Sequence, residues 1–279
     1  MSERVRKVDV EHALEQAANT AQYGSPAARA GQIGTEARIV QRILADAQGA
    51  AATWANWEAI NNELLPEKET AKAIEHLELG ALGTIRNALS RDGLLAAYRL
   101  SDPFNPGQKT QGMTLCRLVH LTKEPTALAK LTSKQWALDL GHRPNVSNYA
   151  QGENTRMLHR LHSLVSAQWK ADAPPAVPEL WQLRNSIRPV RDGFLAHTLD
   201  IEGVQHPIIN DIRQLIQLTL ELATDMAFVF LGSATPAARY QQFCRARAEK
   251  FWLLALKAPI EIYQSDMLLR DGSADGKKA

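Results

Sequence analysis

The chain has 279 residues, 45% hydrophobic and 22% charged, so it carries enough apolar side chains to bury a core over most of its length. Lys and Arg number 32 against 30 Asp and Glu, a formal net charge of +2, which excludes a blanket polycation and requires any nucleic-acid site to come from local clustering. Two cysteines, Cys116 and Cys244, exclude a disulfide-dense scaffold and a cysteine-only zinc site and point to a reduced, cytoplasmic protein.

The periodicity is helical almost throughout, and glycine and proline fall between the periodic blocks. Residues 1–34 hold few large apolar side chains and read as a loosely attached N-terminal arm. The first strong helix is expected from Thr35-Glu36, an N-cap with an acidic first turn, to about Leu65 before Pro66. The second runs from about Glu67 to Leu100, with a stripe through Leu82, Ile85, Leu89 and Leu94, and stops at Ser101-Asp102-Pro103. Two long helices with a tight link are expected to pack antiparallel.

Short helices follow at 113–121 and 125–138, then a polar loop at 139–153 and a helix from about Asn154 to Asp172. Residues 179–188 and 190–200 read as two helical pieces on either side of Pro189. Residues 208–231 form the next helix. Glu221 and Asp225 interrupt its apolar run, so no membrane association is expected. The N-terminus lacks the pattern of a secretory signal. A last helix is expected over Pro236–Leu256, and the tail from 272 to 279 reads as disordered. The fold class is all-α, with a helical domain at 35–232 and a C-terminal helical extension at 233–271.

No glycine-rich phosphate loop is present. His159 and His162 lie three apart on one helix, but no acidic or cysteine neighbour completes a metal set, and with Arg156 and Arg160 they read as a solvated basic face. No metal or cofactor is expected. Cys116 and Cys244 read as small buried hydrophobes.

The most informative stretch is Trp181–Leu199, WQLRNSIRPVRDGFLAHTL, which crowds Arg184, Arg188, Arg191 and His197 around a single acid, Asp192. Arginine offers a planar fork to phosphate, and histidine exchanges a proton near neutral pH. Those are two parts that metal-independent RNA cleavage needs. In an unbroken helix Arg191 and His197 are about 120° apart around the axis and about 9 Å apart along it. One copy therefore does not converge them on a phosphate, whereas two symmetry-related copies can. The plainer alternative is a surface ion pair between Arg188 and Asp192, with His197 as a C-terminal helix cation.

Arg191-Asp192-x4-His197, with five residues between the arginine and the histidine, resembles the signature of HEPN domains. The blocks TWANWEAI, IRNALSRDGLLAAYRLSDP, GMTLCRLVHLTKEP and LRNSIRPVRDGFLAHTL follow in the order of the abortive-infection (AbiU-type) branch, across about residues 35–232. The resemblance implies a HEPN-like multi-helix bundle that dimerises through its motif helices and acts as a metal-independent endoribonuclease. Such proteins serve as bacterial toxins or antiphage effectors, some with an antitoxin or defence partner. Arg191 and His197 would be the catalytic pair and Asp192 their support, while Arg184 and Arg188 match no catalytic position and are assigned an RNA-backbone role. Pro189 and Gly193 depart from a regular motif helix. Many HEPN proteins are inactive, so an alternative function is a helical module that binds RNA, a nucleotide or a protein.

Two further groups of charged residues stand out. Arg86-Asn87 and Arg91-Asp92 read as solvent-face or inter-helix ion pairs. The C-terminal helix interleaves Arg239, Arg245, Arg247, Lys250 and Lys257 with Tyr240, Phe243, Phe251 and Trp252. Basic residues beside aromatics can bind RNA, but aromatics at helical spacing are more commonly core.

Overall fold

The computed structural model describes residues 26–64, 72, 80–104, 113–122, 126, 128–130, 132–133, 144–165, 179–196, 206–232 and 234–275. Seven α-helices account for almost all of them: α1 (Pro26–Glu58), α2 (Gly80–Leu100), α3 (Leu115–Leu121), α4 (Pro144–Val165), α5 (Glu179–Ala196), α6 (His206–Leu231) and α7 (Ala237–Asp275). A π-helical turn, Ala59–Leu64, continues α1. No strand occurs among the described residues, and the fold is all-α.

Local chemistry sets several boundaries. Ser101 Oγ donates to the Tyr98 carbonyl at 2.7 Å as α2 ends. Thr114 caps α3, its hydroxyl accepting from the Arg117 amide at 3.2 Å. Gly232 follows α6 at φ 71°, a left-handed conformation that closes the helix through its N–H to the Phe228 carbonyl at 3.1 Å.

The apolar pattern of α6 covers most of its circumference, as expected of a buried helix. It touches each of the other six helices. Among the described residues it is the one helix long and apolar enough to cross a membrane, and most of it is buried in the bundle. The most extensive contact joins α1 to α2. Gly93 lies against the backbone of Ala50 and Trp54, and Leu82 clusters with Ala59 and Ile60, so the two helices run antiparallel. A smaller apolar cluster seats α7 on α1 through Cys244, Ala248, Trp252 and Leu256. Trp252 Nε1 donates to Asn56 Oδ1 at 3.1 Å across the same contact.

Five boundaries differ from the sequence expectation. The first helix begins at Pro26, not Thr35, and thus enters the segment read as a loose arm. It also changes to π geometry before Pro66. α4 begins at Pro144, so residues 144–153, read as loop, are helical; proline is well suited to a first helical position. α5 is a single helix through Pro189, whose missing N–H falls on an exposed side. α7 extends to Asp275, well beyond Leu256 and into the segment expected to be disordered. Residues 1–25 and the final four of the tail lie outside the described residues, as does most of 65–79, which was expected to begin the second helix.

Candidate functional site

Arg184 and Arg191 are seven apart, so an unbroken α5 returns them to nearly the same face, about 10 Å apart along the axis. Ile187 and Val190, between them, are buried. That face meets the C-terminal end of α2 and the buried ring of Tyr98. Both guanidinium carbons lie 4.5 Å from the centroid of this one ring. Two cations over a desolvated aromatic ring are held by its quadrupole.

Carboxylates fix the two arginines separately. Arg184 Nη2 donates to Asp102 Oδ1 at 2.9 Å, just past the end of α2. Arg191 Nε donates to Asp192 Oδ1 at 2.8 Å, and its Nη2 contacts the same oxygen closely. The other oxygen of Asp192 lies 3.6 Å from Arg188 Nε. Three guanidiniums thus share two carboxylates, a local excess of one positive charge.

Their exposures divide them. The Arg184 side chain is 15% exposed and Arg188 65%, with Arg191 at 24% between them. Arg184 therefore faces inward as a tie between α5 and α2, while Arg188 points to solvent. Arg184 Nε and Tyr98 Oη are buried and have no hydrogen-bond partner among the described residues. Such buried polar atoms are uncommon in folded proteins.

Burial works against the charge on Arg191, but the Asp192 hydrogen bond and the nearby Tyr98, Asp192 and Asp102 outweigh it and hold the guanidinium above the usual arginine range. The Arg191 hydrogen bond holds the Asp192 carboxyl below the usual carboxylate range. Cys116 lies close by, with its thiol 3.9 Å from the Ser101 carbonyl. Burial pushes the thiol up to about 12 against the charge of Arg184, so at neutral pH it is no nucleophile.

The structure therefore places Arg184 and Arg191 on one ring, Tyr98, with Asp192 between Arg191 and Arg188, along the middle and C-terminal part of α5. His197, the next residue after this helix, lies outside the described residues. Tyr98 and Asp102 complete the cluster, although neither stood out as a site residue in the sequence. The available signal was their position at the α2 stop, within LLAAYRLSDP. Comparison with protein-family models, with curated proteins and with solved structures returns no match.

The other motifs resolve differently. Arg160 is not part of a solvated face: it bridges α4 to α6 through Glu221 and, at 2.9 Å, Asp225. These are the two acids that interrupt the apolar run of α6. A polar cleft of about 520 Å³ opens beside this bridge, lined by Gln182 and Ser186 of α5 and Gln214 and Gln217 of α6. His159 is exposed, whereas His162 is half-buried, its Nε2 2.8 Å from Thr122 Oγ1. No group of three metal-ligating side chains occurs among the described residues. Arg91 and Asp92 form an exposed pair at 3.4 Å.

Proposed function

We propose that the chain is a metal-independent endoribonuclease of the HEPN type, acting as a homodimer with Arg191 and His197 of both copies around one RNA linkage. One observation carries the proposal: Arg191 is a partly exposed guanidinium, held by Asp192 and the Tyr98 ring at the end of the helix that leads directly into His197. A fixed, permanently charged fork suits a phosphate whose negative charge grows during reaction.

The chemistry follows from these groups. His197 takes the proton of the RNA 2′-hydroxyl as its oxygen bonds to phosphorus. The bond from phosphorus to the 5′-oxygen breaks, and His197 of the partner subunit protonates the leaving oxygen. The products are a 2′,3′-cyclic phosphate and a 5′-hydroxyl. Arg191 stabilises the charge on the non-bridging oxygens, with Asp192 orienting it. DNA, without the 2′-hydroxyl, resists. An antiphage or toxin role, with an antitoxin or defence partner, is the biological setting that goes with this chemistry.

The purified chain should cut mixed tRNA and mRNA with EDTA present. His197→Ala and Arg191→Ala should each reduce cleavage by about 100-fold or more while leaving the helical circular dichroism unchanged. Equal cleavage by the His197→Ala variant removes the mechanism.

A second reading draws on a different observation. Two donor groups of Arg191 are already taken by Asp192, and Arg184 is turned onto Asp102. That arrangement suits a non-catalytic helical module, for which the same assay shows salt-sensitive RNA binding and no turnover.

A further inference from the structure

The aromatic residues of α7 separate into two sets. Trp252 is buried against α1, and Tyr240, earlier on the helix, is half-buried against the core. Phe243 and Phe251 instead face solvent, 53% and 57% exposed, with Leu254 at 64%. Arg247 lies over the Phe243 ring, its guanidinium carbon 5.1 Å from the centroid. From residue 238 to 257 the exposed positions of α7 include no aspartate or glutamate. Glu249, the one acid in that stretch, is less exposed and lies 3.8 Å from Arg245. The patch is closed at its far end by Glu261, 3.8 Å from Lys257.

We infer that this outer face of α7 is a docking surface for single-stranded RNA, with Phe243 and Phe251 stacking on bases and Arg239, Arg247 and Lys250 taking phosphates. Charge decides the sign of the partner: the cations outnumber the single acid of the stretch, Glu249, which lies beside Arg245, and so complement a polyanion. Exposed aromatic rings add the requirement that the polyanion present flat apolar faces, which unpaired bases do and a duplex does not.

The order of side chains around the helix discriminates further. At about 100° per residue, Arg247 falls between Leu254 and Phe251, and Lys250 falls between Leu253 and Phe243. The cations are interleaved with the apolar groups. A helix lying in a membrane interface separates the two, with a continuous apolar face and the cations outside it. A second copy of this chain packed symmetrically about the middle of the face would bring one cationic, acid-poor stretch against another, which is repulsive. The choice of RNA over other single strands rests on the proposed function, but none of the residues at the Arg191 site takes part.

The test uses the full chain and a fluorescent 2′-O-methyl RNA of mixed sequence, which cannot be cut by 2′-hydroxyl attack. Fluorescence anisotropy should show binding that weakens with salt. The double substitution Phe243→Ala with Phe251→Ala should lower affinity about tenfold or more. Arg247→Glu with Lys250→Glu should lower affinity and make the log–log salt dependence shallower by roughly 1.4, about 0.7 for each phosphate that is no longer neutralised. All four positions are exposed, so circular dichroism should match the parent chain. Absence of binding by the parent chain, or unchanged affinity in both double variants, overturns the inference. So does transfer of the phenotype to another partner, whether pelleting with phosphatidylserine vesicles or self-association, with RNA affinity intact. Cleavage is scored separately with His197→Ala on unmodified RNA. Failure there leaves the α7 result standing, and failure here leaves the cleavage result standing.

Discussion

Tyr98 is the residue on which the Arg191 corner turns, through its ring rather than its hydroxyl. The ring holds two guanidiniums, while the buried hydroxyl has no partner among the described residues. Tyr98→Phe should therefore leave stability within about 0.5 kcal/mol of the parent, or raise it, because no hydrogen bond is removed. Tyr98→Leu should cost about 2–4 kcal/mol by emptying core volume and removing both cation–π interactions. Urea unfolding of the two variants checks the order, and equal losses would overturn it. His162 supplies a second residue-scale prediction. Burial lowers its pKa below the usual 6.5, against the contact with Thr122 and aided by the charge of His159. A lowered folded-state value means that the neutral ring is favoured in the fold. Its contribution is present above the unfolded pKa and is lost as pH falls through the folded one. The parent chain should lose more thermal stability between pH 7.5 and pH 5 than His162→Gln does.

At the scale of elements, α5 depends on keeping its register through Pro189. A break there would rotate Arg191 away from Arg184, and one ring could not hold both. The helix continues because the proline faces solvent, while Ile187 and Val190 anchor its inner side. α1 and α2 show how small residues set an approach. Alanines 47, 50 and 51 are buried, and Gly93 of α2 meets the backbone of Ala50 and Trp54. A Cβ on Gly93 would find its nearest atoms 3.5 Å away, an ordinary contact. Gly93→Ala should therefore stabilise by about 0.5–1 kcal/mol through helix propensity. Gly93→Leu has no such room and should destabilise by about 1–3 kcal/mol. Thermal denaturation of the pair decides this, and two losses of equal size would show that the helices are closer than this geometry allows.

At the scale of the whole molecule, one carboxylate ties three helices together. Glu58, at the end of α1, accepts from Trp54 at 3.0 Å and from Arg213 of α6 at 2.5 Å, and lies 3.7 Å from Arg245 of α7. This fixes α7 to the bundle while leaving its outer face free. The proposed chemistry also needs a second copy of the chain, because positions 191 and 197 of a regular helix would not converge on one phosphate. Sedimentation equilibrium should return twice the mass of one chain at micromolar concentration. A strict monomer under assay conditions would remove the dimeric mechanism and leave the binding-module reading.

The sequence by itself determined the all-α class, the order of the blocks and the clustering of arginines before His197. Apolar periodicity, capping residues and local charge are all properties of neighbouring positions, so they are legible without a fold. The same local logic misjudged residues 144–153 and Pro189, where helix formation depends on which side of the helix faces the bundle. Only the tertiary structure decided that Arg184 turns inward, that Arg160 answers the two acids of the apolar helix, and that Phe243 and Phe251 face solvent while Trp252 does not. Each of those outcomes depends on which helix lies opposite. That is a contact between residues far apart in sequence, settled when the apolar faces compete for one core.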